Sequence, residues 1–286
     1  MYTLKVENQI GDVLTLTQNE NDFQIQKIEG LSPANGTINT SLIVGMDGAL
    51  FNSAKLEVKE IVLYIKINGN AERNRNNLYK YFTVKKKCKL YYKNGLKNVF
   101  IEGFVSSFEC DLFAEGQIAQ ISILCPYPYF KAIAETVNDI SNVIGLFTFP
   151  FSIDFDEPIP ISDQTENRET MIYNPTQTDI GLVIKAQFGG DVEKLEVRNT
   201  LTGEKIIVRY NFQNLDILTI NTNQGQKSIS LLRNGVQTNI FSAVDGDSAF
   251  FALHAGINMF GFAADDGVSD DDVKIQIIMR MEYEGV

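Results

Sequence analysis

His254 is the only histidine in this 286-residue chain, so any zinc site of ordinary ligand set and any Ser-His-Asp or Cys-His relay would have to pass through it. It stands in Phe250-Phe251-Ala252-Leu253-His254-Ala255-Gly256, where an apolar strand meets a turn. That context reads as a surface or strand-end histidine. Paired carboxylates are the other route to chemistry. Asp265, Asp266, Asp270, Asp271 and Asp272 crowd one short loop, a donor set that suits a hard cation. Their spacing departs from the EF-hand loop, however, and acidic loops are commonly just solvated. Asp154, Asp156 and Glu157 could imitate a glycosidase pair, but a solvated linker edge explains them better. No Gly-rich phosphate loop or dinucleotide fingerprint is present. Cys88, Cys110 and Cys125 are odd in number and widely spaced in strand-like contexts, as expected of buried thiols in a reducing cytoplasm. The sequence thus points to no catalytic residue, no cofactor and no metal.

Charge is the stronger signal. Nine of the 25 basic residues, and none of the 36 acidic ones, lie between Arg73 and Ile101: Arg73, Arg75, Lys80, Lys85, Lys86, Lys87, Lys89, Lys93 and Lys97. On a chain of net charge −11 this segregation suggests a surface built to meet one of opposite sign, and copies of the same chain could supply it. The overall acidity opposes general nucleic-acid binding, which needs spare cations, and suits a conduit that lets DNA pass as cargo. Tyr79, Tyr81, Tyr91, Tyr92, Tyr127 and Tyr129 could stack bases or sugars beside these lysines. Packed protein interfaces favour tyrosine and arginine too, and an intersubunit contact is the preferred reading.

The elements that must position these residues read as strands. Ile61, Leu63, Ile65 and Ile67 share one face, and Asn68-Gly69-Asn70 ends the run. A short helix is expected over Asn74–Phe82, from Leu78, Tyr81 and Phe82 at helical spacing. Cys88, Leu90 and Tyr92 alternate up to Asn94-Gly95, and Val99, Ile101, Gly103 and Val105 alternate beyond it, a hairpin signal. Gln117–Cys125 is another strand, stopped by Pro126-Tyr127-Pro128. From there the expected division is a first domain over 1–135, a linker over 136–150 and a second domain over 151–286. In the latter, strands are expected near 170–174, 181–188, 193–199, 205–210, 217–222, 227–233, 236–241, 249–253, 258–263 and 273–283. Such regular spacing predicts a β-sandwich or jelly roll. The amino end lacks a signal peptide's charged and apolar regions, and no apolar run is long enough to span a bilayer, so no membrane insertion is expected.

Several segments, in order, resemble one family. Gly30-Leu31-Ser32-Pro33, Met46-Asp47-Gly48-Ala49, Ile67-Asn68-Gly69-Asn70, Arg73-Asn74-Arg75, Ile101-Glu102-Gly103-Phe104-Val105 and Gln120 to Phe130 are similar to the distal tail protein of siphophages and prophages of Gram-positive bacteria. Asn199-Thr200-Leu201-Thr202-Gly203-Glu204, Leu218 to Thr222, Phe251-Ala252-Leu253, Gly256-Ile257-Asn258 and Tyr283-Glu284-Gly285-Val286 resemble its carboxy-terminal domain. The resemblance implies a mainly β fold: an amino-terminal ring domain with a short helix and a long hairpin, then a galectin-like β-sandwich. It implies a structural baseplate hub in the virion tail, a homohexameric ring, single or stacked, assembled in the host cytoplasm. Its implied partners are the tail tube protein, the tail-associated hub or lysin protein and, as an open extension, a receptor-binding protein. The hairpin that belts the neighbour is expected at Arg73, Arg75, Lys85, Lys86, Lys87, Lys89, Tyr91, Tyr92, Lys93, Asn94, Gly95 and Lys97. The alternative is a carbohydrate-binding module that touches the host cell wall through the second domain. Against it, the chain has no tryptophan, and Tyr210 with His254 makes no recognisable galectin sugar motif.

Overall fold

The computed structural model describes residues 2–17, 22–45, 47–114, 116–140, 143–145, 162–164, 169–264 and 272–286. The chain divides into two compact units, Met1–Ile133 with Glu282–Val286, and Ala134–Met281. Among the described residues no helix is long and apolar enough to cross a membrane.

The first unit contains β1 (Thr3–Glu7), β2 (Val13–Thr15), β3 (Phe23–Glu29), β4 (Gly36–Ser41), β5 (Leu50–Leu56), β6 (Lys59–Ile67), α1 (Ala71–Tyr81), β7 (Lys87–Lys93), β8 (Asn98–Cys110), β9 (Ile118–Cys125) and β10 (Phe130–Ala132). A nine-stranded sheet runs β2-β1-β7-β8-β9-β6-β3, with β10 on β8 and a terminal strand, Glu282–Tyr283, on β10. Period-two alternation sends Ile61, Leu63, Ile65 and Ile67 into a core shared with Leu4, Val6, Leu90, Val99, Ile121 and Ile123. At Gly103 a Cβ would lie 2.6 Å from Ile123 Cγ2 and 2.8 Å from Cys125 Sγ, so only glycine lets β8 and β9 close there. α1 begins before Asn74 because the Asn70 side chain accepts a hydrogen bond from the Arg73 amide at 3.0 Å. Asn74 is instead buried, donating to Asn68 O at 2.8 Å and Asp22 Oδ1 at 3.0 Å.

The second unit contains β11 (Thr136–Ile140), β12 (Val143–Gly145), β13 (Ser162–Gln164), β14 (Glu169–Asn174), β15 (Leu182–Phe188), β16 (Val192–Asn199), β17 (Lys205–Phe212), β18 (Ile217–Asn221), β19 (Ser228–Arg233), β20 (Val236–Asn239), β21 (Gly256–Ala264) and β22 (Val273–Met279). A six-stranded sheet, β11-β22-β15-β18-β19-β20, and a four-stranded sheet, β14-β21-β16-β17, contribute to one core. Leu182, Ile184, Ile275 and Ile277 from the first meet Leu195, Val197, Phe260 and Phe262 from the second, which makes this unit a β-sandwich. The β19–β20 turn uses Asn234 and Gly235 at φ 51° and 77°, as a two-residue hairpin requires.

Three expectations need correction. Thr136–Ile140 falls in the expected linker but is a strand on the sheet edge. Only Ile140 is buried there, so no alternation is visible in the sequence. The strand expected at 249–253 is reduced to a single bridge, Ile180 to Leu253, although Phe251 and Leu253 are buried at period two. The strand expected at 273–283 stops at Met279, and Glu282–Tyr283 belongs instead to the first unit, where it pairs with β10. Asp154, Asp156, Glu157, Asp265, Asp266, Asp270 and Asp271 lie outside the described residues.

The last residues are bound tightly into the first unit. The buried Lys59 ammonium donates to Ser32 O and Glu284 O, both at 2.6 Å, and lies 4.9 Å from the Phe130 ring. Burial pushes its pKa below the ordinary lysine value. Lys97 Nζ donates to Gly285 O at 2.6 Å, and the Val286 amide donates to Leu31 O at 3.1 Å. Glu282, also buried, accepts from the Tyr127 hydroxyl and pairs with Lys131 at 3.5 Å. A chain ending at Met281 would strip Lys59 of one of its two acceptors, a loss on the order of 2–3 kcal/mol. We expect its first unit to melt well below that of the full chain in a urea or thermal titration, while the second unit melts unchanged.

Candidate assembly surface

Among the described residues β4 and β5 pair only with each other. Their ladder is reinforced by Asn39 Nδ2 to Ser53 Oγ at 2.9 Å and Asn52 Nδ2 to Ser41 Oγ at 2.6 Å. Neither strand has a buried residue. Ile38, Leu42, Ile43, Val44, Leu50 and Phe51 are all exposed, Leu42 to 86% and Phe51 to 67%. A lone hairpin is marginal in water, and this one presents apolar side chains with no core beneath them. The sequence signal was there: between Gly36 and Ala54 the only charged residue is Asp47. A register shift between Asn39 and Thr40 breaks the alternation that would have marked β4 as a strand.

The basic residues occupy other places. Arg73 and Arg75 lie on α1, where Arg75 Nη1 donates to Gln117 Oε1 at 2.8 Å. Lys85, at φ 68°, and Lys86 are exposed in the turn before β7. Lys87 and Lys89 flank Glu102 at 2.8 and 3.4 Å. Although burial opposes its ionisation, the two ammonium groups hold Glu102 below the usual carboxylate range. The Tyr91 hydroxyl donates to Glu7 Oε2 at 2.5 Å, and Tyr92 stacks on Tyr2. Lys93 is exposed, and Lys97 serves the chain terminus. Asn94 opens the turn with Oδ1 accepting from the Leu96 and Lys97 amides, and neither Asn94 nor Gly95 takes a positive φ. The β7–β8 hairpin is therefore part of the sheet, not an arm. β1 pairs along β7 and β9 along β8, so its edges are occupied, and Cys88, Leu90, Val99 and Ile101 tie it to the core. Burial pushes the Cys88 and Cys125 thiols up to about 12, which leaves them protonated.

In the second unit the family-like segments pin loops at one end of the sandwich. Asn199 Nδ2 donates to Asn258 Oδ1 at 3.1 Å, and the same oxygen accepts from the His254 amide at 3.0 Å. His254 bridges two carboxylates, Glu204 at 2.8 Å and Asp179 at 3.2 Å. Glu204 first, and then Asp179, raise the imidazole pKa against the opposing effect of burial. The histidine acts as a cross-link between loops.

Residues 12–125 match the family of the phage tail protein RIFT-related domain, and residues 176–276 match that of the siphovirus-type tail component, C-terminal domain. The fold is similar over 99% of both chains to SPP1 Dit, described as a paradigm of the hub adsorption apparatus in phages infecting Gram-positive bacteria, at 13% identity and a TM-score of 0.70. It also resembles a chain of the phage P2 baseplate in its activated conformation, at 12% identity: with Ca, over 100% of each chain, TM-score 0.53; with Sr, over 97% of this chain and 98% of the other, TM-score 0.51. No curated protein sequence matches the chain significantly. The two matched regions together span most of the chain, which belongs to the distal tail protein family of siphophages and is a structural component of the phage tail.

The His254 cross-link has a definite pH sign. Its pKa is raised on folding, so its stabilisation is complete below the unfolded value of 6.5 and is lost as pH rises through the folded value. As pH rises above the unfolded value of 6.5, the melting temperature of the wild-type second unit should fall relative to that of His254→Gln. Parallel curves for the two proteins would exclude the bridge.

Proposed function

We propose that six copies of this chain close into a ring, single or stacked, in which the β4–β5 hairpin of each belts its neighbour. The observation that carries this reading is the exposed apolar hairpin, which one chain cannot bury. Head-to-tail contacts of this kind bury different patches on each copy and either close or grow into a filament. The exposed Lys85 and Lys86 add a basic rim that would orient an approaching acidic copy more than it would tighten the final contact.

The first unit is then the ring-forming domain and the second an outer, galectin-like sandwich. The ring joins the tail tube protein to the tail-associated hub protein, with DNA passing through as cargo and a receptor-binding protein as a further attachment. Assembly takes place in the host cytoplasm, where the three free thiols stay reduced.

Two variants test the ring. Leu42→Asp with Phe51→Asp places charge on the arm without touching the core; light scattering and negative-stain images should show monomers in place of six-fold annuli, with melting unchanged. Monomeric wild-type protein at every protein concentration would refute the ring itself. Lys85→Glu with Lys86→Glu should slow assembly at low salt by roughly tenfold and leave the finished ring intact. Equal rates for variant and wild type would remove the basic rim from the mechanism.

A further inference from the structure

The six-stranded sheet of the second unit turns one face to the core and leaves the other open. Register sets the open-face side chains in rows. One runs Asp139, Gln276, Lys185, Thr219, Ser230 across five strands. The next runs Lys274, Gln187, Ile217, Leu232, Gln237. Together they line a groove of about 700 Å³.

Its charge is opposite to that of the molecule. Lys185 and Lys274 are diagonal neighbours on adjacent strands, roughly 7 Å apart at the backbone. Neither has an ion-pair partner among the described residues. The only acid in the two rows, Asp139, accepts from Gln276 Nε2 at 2.9 Å. Two lysines on adjacent strands give this face a local positive charge, on a chain of net charge −11, that favours an anion.

The surroundings narrow the anion. Thr219 and Ser230 face each other on neighbouring strands about 4.8 Å apart, Gln237 Nε2 donates to Ser230 Oγ at 3.0 Å, and amide and hydroxyl groups of this kind both donate and accept, as vicinal hydroxyls require. Ile217 and Leu232 supply a small apolar floor for a ring face. An extended peptide would add to a sheet edge, not cross a face, and a nucleic acid would need more cations than two. We propose that this groove binds an acidic glycan, a chain of sugar units carrying carboxylate or phosphate groups. Lys185 and Lys274 receive the anion, while Gln187, Thr219 and Gln237 bond ring hydroxyls. This adds a ligand-binding role to the structural one and does not depend on ring closure, because the groove lies within a single chain.

The test is calorimetric titration of the full chain with a galacturonate hexamer, a poly(glycerol phosphate) oligomer and neutral maltohexaose. Galacturonate should bind, more weakly as salt rises, and at least about tenfold more tightly than maltohexaose. The double variant Lys185→Gln, Lys274→Gln should lose about tenfold in affinity at unchanged melting temperature, whereas Lys205→Gln, in β17 of the four-stranded sheet, should lose nothing. Three results would overturn the proposal. They are no binding of galacturonate, binding indifferent to the double variant, or binding of poly(glycerol phosphate) alone, which would make the ligand a polyol phosphate and not a glycan. A change in oligomer mass on the double substitution, with no loss of galacturonate binding, would assign the face to contact between copies.

Discussion

Lys59 carries its charge into the interior of the first unit, where the carbonyl oxygens of Ser32 and Glu284 accept hydrogen bonds from its ammonium. Burying an ammonium is tolerable only when its donors are satisfied, so both acceptor segments must be in place together. One acceptor comes from early in the chain and the other from its last residues. The first unit is therefore complete only after the chain has built the second and returned. Gly285 reflects the same closure: a Cβ there would lie 2.9 Å from Pro33 Cδ.

This constraint gives the family-like segments a physical meaning. Gly30 to Pro33 and Tyr283 to Val286 meet each other around Lys59, and Tyr127 reaches Glu282 from the segment between them. In the second unit, Asn199 and Asn258 meet through a buried amide pair that also fixes the His254 backbone. These residues hold loops and termini in position. The β4–β5 hairpin differs, because its apolar side chains have nothing to pack against in a single chain.

The outward face of the six-stranded sheet shows how little chemistry a sandwich needs to acquire a ligand site. The register alone brings Lys185 and Lys274 together, with no loop insertion and no metal. The inward-facing residues of the same strands are saturated by the core, so the open face is free to vary in composition at little cost to stability.

By itself the sequence determined whatever rests on local pattern. The period of two placed β6, β7, β8, β9 and most strands of the sandwich, and Leu78, Tyr81 and Phe82 announced the helix, whose start at Ala71 lies three residues before the expected Asn74. The charge count located the basic segment but could not say what it does. Lys87, Lys89 and Lys97 turned out to neutralise Glu102 and to hold the chain terminus, because strand pairing brings together residues distant in sequence. Tertiary structure alone decided that β7–β8 is walled in by β1 and β9 while β4–β5 stands free. It also decided that β11 belongs to the sandwich and that residues after Met281 return to the first sheet. Periodicity reports which face of a strand is buried, and only the pairing of strands reports which edges remain open.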